Sequence, residues 1–106
     1  MDIKKFKFPE LTAADIVFPI FKTDKELLEE AKKRGFYGGY TPYNDLFNKL
    51  FFEGGSLNFK KDLDKEFKTK ATLYLKAFMR SFTPKHEEKE AISAMLLSEL
   101  VDIEEE

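Results

Sequence analysis

The single histidine of the chain opens the run His86-Glu87-Glu88-Lys89-Glu90, an imidazole followed by carboxylates over one helical turn. A helix-borne zinc site of the His-Glu-x-x-His kind needs two imidazoles four residues apart on one face. Glu90 stands where the second imidazole belongs, so the spacing predicts no metal. A plainer account fits the run. Acids in a first turn favour the partial positive charge of a helix N-terminus, and His86 is expected to be exposed there. The chain has no cysteine, hence no thiolate nucleophile, no sulfur-ligated metal and no disulfide framework. A Ser–His–Asp arrangement would have to recruit His86 from that exposed turn, and no glycine-rich phosphate loop occurs. Asp and Glu are abundant, but abundance is not a site. These absences lead to the expectation of a non-enzyme with no cofactor.

The chemistry of recognition is better represented. Arg34-Gly35-Phe36-Tyr37-Gly38-Gly39-Tyr40 is a glycine–aromatic segment, and Tyr43 follows closely. The order basic–Gly–aromatic also begins the RNA-contacting strand of RNA-recognition domains, but that strand needs a small residue where Tyr37 stands. Gly35-x-x-Gly38 between two helices is a weak match to the clamping loop of KH domains, without the apolar residues expected around it. No family is claimed on these grounds. Glycines that permit positive φ and aromatics tucked onto a core explain most such turns. The sharper expectation is that Phe36, Tyr37, Tyr40 and Tyr43 form an aromatic contact surface for a protein partner.

Charge is segregated along the chain. Residues 1–59 carry nine basic and nine acidic side chains, residues 60–85 eight and three, and residues 86–106 one and eight, giving 0, +5 and −7 in turn. In the middle segment Lys61, Lys65, Lys68, Lys76 and Arg80 fall on one side of a predicted helix, a pattern able to track phosphates. A solvated face that attracts the acidic segment beside it is the plainer account. The overall charge of −2 and the interspersed Asp62, Asp64 and Glu66 weigh the same way.

These residues have to be placed by helices. Thr12-Ala13-Ala14-Asp15 opens one or two turns that Pro19 cuts short, and Thr23 with Glu26 reads as a capping box for a helix from about Asp24 to Arg34. Its apolar face is thin, Leu27, Leu28 and Ala31, and Gly35 closes it. Thr41-Pro42 starts a third helix running to about Phe52 before Gly54-Gly55. Lys60 to Phe82 reads as one long amphipathic helix with Leu63, Phe67, Ala71, Tyr74, Leu75, Phe78 and Phe82 on its core face. Ser81-Phe82-Thr83-Pro84 stops it. The last helix, about Lys85 to Val101, is apolar almost all round, from Ala91 and Ile92 to Leu100 and Val101, so it is either central or covered by a partner. Lys5-Phe6-Lys7-Phe8 and Leu57-Asn58-Phe59 alternate like short strands and are expected to pair.

The sequence therefore predicts a mainly α, compact small domain over residues 1–106, with an arm at 1–22, a C-terminal antiparallel helical hairpin at 60–101, an acidic tail at 102–106 and room for a two-stranded β patch. An aromatic-rich inventory of 12 Phe and 4 Tyr, with two Val and no Trp, supplies its core. Neither a signal peptide nor a membrane span is read from the sequence, and a cytoplasmic location is expected. Glu104-Glu105-Glu106 reads as a frayed, solubilising end. The expected function is non-catalytic protein association, including self-association as a homodimer, through Phe36, Tyr37, Tyr40, Tyr43 and the final-helix residues Leu96, Leu97, Leu100 and Val101. The alternative is nucleic-acid binding through Lys61, Lys65, Lys68, Lys76 and Arg80. Small size without catalytic machinery also suits a phage or another mobile element.

Overall fold

Short polar side chains set where the helices begin. The computed structural model describes residue 8, residues 10–17 and residues 19–103. Among these run five helices: α1 (Ala13–Val17), α2 (Lys25–Lys33), α3 (Pro42–Glu53), α4 (Lys65–Arg80) and α5 (His86–Leu100). The fold is mainly α, as the periodicity predicts. Thr12 and Asp15 bond each other's backbone amides to start α1. Asp24, not Thr23, caps α2 by accepting from the Leu27 amide at 3.1 Å. Thr23 instead donates its hydroxyl to Glu88 at 2.7 Å, tying the start of α2 to the first turn of α5.

The long helix is shorter than its apolar spacing suggests. Asp64 accepts from the Phe67 amide at 2.7 Å, so a cap interrupts the run and residues 61–63 form a turn ahead of it. At the other end Ser81 turns extended and its hydroxyl donates to the Phe78 carbonyl at 2.7 Å. The helical period therefore stops before Phe82. That residue, expected on the core face, is 82% exposed, with its amide donating to the Pro19 carbonyl at 3.4 Å.

The final helix is the centre of the fold. α5 packs against α2, α3 and α4, and every residue from Ala91 to Leu97 is buried. All-round apolarity is what a helix with neighbours on three sides needs. α3 is its most extensive neighbour, ahead of α2 and α4. Around this axis the rings gather in two groups. Phe8, Phe21, Phe67, Tyr74 and Phe78 meet beside α4, with Tyr74 and Phe78 stacked at 5.7 Å. Phe47, Phe51 and Phe52 meet His86 at the start of α5.

Polar ties fix the periphery. Arg34, at the end of α2, donates to Glu30 at 2.9 Å and to Glu99 near the end of α5 at 2.6 Å. Lys60 and Asp102 donate backbone amides to Leu100 and Asn58, framing one antiparallel bridge between Phe59 and Val101. The chain at residues 58–60 thus pairs with the chain leaving α5, whose last carbonyls and amides come alongside it. Among the described residues there is no strand. The expected strand residues Lys5, Phe6 and Lys7 and the tail Glu104 to Glu106 lie outside the described residues. Among the described residues no helix is long and apolar enough to cross a membrane.

Candidate functional site

The aromatic loop is built outward from the end of α2. Gly35, at φ +85°, supplies the left-handed residue that lets the Gly35 amide donate to the Lys32 carbonyl and the Phe36 amide to the Ala31 carbonyl. This double closure turns the chain and drops Phe36 onto Ala31 in the core. Phe36 is therefore buried, which removes it from the expected contact surface. The polypeptide doubles back so tightly that a methyl group on Gly39 would collide with the Gly35 carbonyl oxygen.

Asn44 holds the far side. It lies in the first turn of α3, where its side-chain oxygen accepts from the Thr41 amide at 3.0 Å and from the Thr41 hydroxyl at 2.5 Å. The Thr41 hydroxyl oxygen accepts the Asn44 amide in return at 3.3 Å. The side-chain amide of Asn44 donates to the Phe36 carbonyl at 3.2 Å. One buried side chain thus completes the capping box that Thr41 begins and fastens the loop to α3. Tyr43 is half-buried against the core, and it too contributes more to packing than to a surface.

Tyr37 and Tyr40 remain outside. Tyr37 is 40% exposed with the Lys32 ammonium 4.8 Å from its ring centre. Tyr40 is 79% exposed, and its hydroxyl donates to Asp45 at 2.5 Å. That bond to a carboxylate raises the phenol pKa, since losing the proton would set two anions against each other. The result is two solvated rings on a backbone pinned at both ends.

The final-helix residues behave oppositely. Leu96, Leu97, Leu100 and Val101 are at most 1% exposed, beneath the other helices, so they are core and not a partner surface. The basic residues mostly point outward. Lys65, Lys76 and Arg80 are exposed along α4, and Lys68 is half-buried on the same face. Lys61 is exposed in the turn before the helix and does not continue its stripe. Lys70 pairs with Glu66 at 3.2 Å on an adjoining face.

Sequence reasoning missed Lys89. It is 7% exposed, donates to the Ser81 carbonyl at 2.5 Å and lies 5.5 Å from the centre of the Phe51 ring. Burial pushes its pKa below the ordinary lysine value. Its spacing of three and four residues from Ile92 and Ser93 on a helix put it on a buried face, which was a readable signal. His86 is exposed to solvent on one side and ringed by phenylalanines on the other. Among the described residues no three His, Cys, Asp or Glu side chains are grouped so as to hold a metal ion. An open cleft between the end of α3 and α4 was also illegible in the sequence. Its walls include Leu50, Leu57, Leu75 and Met79.

Compared with protein-family models, curated proteins and solved structures, the chain matches none.

Proposed function

We propose that this chain is a small non-catalytic protein-association module whose partner contacts Tyr37 and Tyr40. The observation that carries this reading is Tyr40, 79% exposed on a loop whose backbone is fastened by the buried Asn44. Tyrosine offers a large amphipathic area with few rotatable bonds, and a loop already fixed in place loses little further entropy on binding. The cysteine-free sequence suits a reducing cytoplasm. The test compares wild type and Tyr37→Ser/Tyr40→Ser as baits, after urea unfolding has shown equal stability. Partners recovered by wild type and lost by the double variant support the reading, and identical recovery refutes it. Light scattering over a concentration series identifies whether the partner is a second copy, which must then also be lost in the double variant.

A second reading is nucleic-acid binding, favoured by one observation. Lys65, Lys76 and Arg80 stand exposed on one face of α4, and no ion pair to any of them is found among the described residues. Phosphate binding through this face requires affinity for mixed-sequence DNA or RNA that falls steeply with salt. It also requires loss of binding in Lys65→Glu/Lys76→Glu. No binding at low salt removes it.

A further inference from the structure

The cleft between α3 and α4 is chemically unlike the aromatic loop and lies at the other end of α3. It has a volume of about 280 Å³. Its floor comes from the core itself, with Leu75 fully buried and Met79 nearly so, and Leu50 and Leu57 form half-buried walls. Gly54 and Gly55 contribute backbone without side chains along one border. Lys76 and Arg80 close the opposite border, four residues apart and hence neighbours on one helix face. The Arg80 Nε donates to the Lys76 carbonyl at 3.3 Å, one turn back on the same helix.

Among the described residues no acidic side chain lines this cleft. Cations beside an apolar recess leave two needs unmet, an apolar group to cover the half-buried walls Leu50, Phe51 and Leu57 and carboxylates to face the border. We infer that the cleft between α3 and α4 receives a protein segment in which an apolar side chain is flanked by acidic residues, the apolar group covering the half-buried Leu50, Phe51 and Leu57 and the carboxylates facing Lys76 and Arg80. Charge complementarity commits the occupant. A basic segment would be repelled at the border, and a nucleic acid would use the cations while leaving the apolar walls uncovered. This assignment stands on the cleft alone and does not depend on Tyr37 or Tyr40.

The test uses the full chain and a fluorescein-labelled octapeptide of alternating glutamate and leucine, read by anisotropy. A lysine–leucine octapeptide and a glutamate–serine octapeptide serve as controls. The glutamate–leucine peptide is expected to bind about tenfold or more tightly than either control, and Lys76→Ala/Arg80→Ala is expected to weaken it by about tenfold or more. Both cations of the double variant are exposed, so it should keep its fold, which circular dichroism verifies. Lys65→Ala, on the same face but outside the cleft, should leave affinity unchanged. Amide NMR shifts induced by the peptide should concentrate at residues 50–57 and 75–80. Equal binding of the three peptides, no loss in the double variant, equal loss in Lys65→Ala, or shifts concentrated elsewhere overturns the assignment. Competition by mixed-sequence RNA, or by decanoate more tightly than by the peptide, also overturns it, pointing to a phosphate backbone or a small amphiphile respectively.

Discussion

Replacing Asn44 separates the two tasks that this side chain performs. In Asn44→Ala the oxygen that accepts from Thr41 is lost, together with the donor to the Phe36 carbonyl. Loss of a cap of this kind costs about 1 kcal/mol, and a buried carbonyl left without its partner about 1–3 kcal/mol. The sum is about 2–4 kcal/mol. Asn44→Asp keeps an acceptor for the Thr41 amide but removes the donor and sets a buried carboxylate against the Phe36 carbonyl, so the second penalty of about 1–3 kcal/mol applies and the burial of charge adds to it. Two smaller effects oppose each other there. A carboxylate in the first turn gains from the helix dipole, and it also faces Glu90, whose oxygen lies 3.5 Å from the side-chain nitrogen of Asn44. Urea unfolding followed by circular dichroism should place both variants below wild type, with unchanged slopes. Hydrogen exchange should rise in the loop at residues 36–41 in both variants. If Asn44→Asp matches wild type within about 0.5 kcal/mol and the loop stays protected, the loop is not fastened as described.

Three further outcomes follow from the interior. Burial, with added repulsion from Asp24, pushes the Tyr74 phenol up to about 12 from the ordinary 10.0, so the folded state holds its proton where the unfolded chain releases it. Stability from this group is complete below pH 10 and declines towards pH 12, by about 2–3 kcal/mol; Tyr74→Phe should flatten that alkaline decline in urea titrations, and an unchanged decline refutes the assignment. Among the described residues the fully buried Ser93 hydroxyl has no hydrogen-bond partner, so Ser93→Ala should raise stability by about 1 kcal/mol, and a loss above that size would reveal a bond the structure does not contain. Leu97→Ala should destabilise by about 2–5 kcal/mol, as a core leucine does; a change under about 0.5 kcal/mol would return Leu97 to the surface.

Helix content and most boundaries were legible because local rules fixed them. Thr41-Pro42 and Gly35 sit where a cap and a left-handed closure are needed, and both occur as the spacing predicts. Apolar periodicity also marked the core face of α4 from Phe67 to Phe78. It failed where a local polar bond cut it, at Asp64 and at Ser81, which is why Phe82 was misplaced. The all-round apolarity of α5 was visible, but what covers it is a tertiary fact. Neighbours on three sides made Leu96, Leu97, Leu100 and Val101 core. The loop was seen as aromatic, yet the sorting of Phe36 inward and Tyr37 and Tyr40 outward depends on how Gly35 turns the chain. Asn44 and the cleft were hidden because their partners lie on other elements, the Phe36 carbonyl in one case and α4 across from α3 in the other.

The most direct measurement of the central claim is partner capture by wild type against the Tyr37→Ser/Tyr40→Ser variant at matched stability, with bound proteins quantified by mass spectrometry. The account predicts at least one saturable partner whose recovery falls by about tenfold or more in the variant, as expected when hot-spot tyrosines are removed. Equal recovery of every saturable partner by both baits would contradict it.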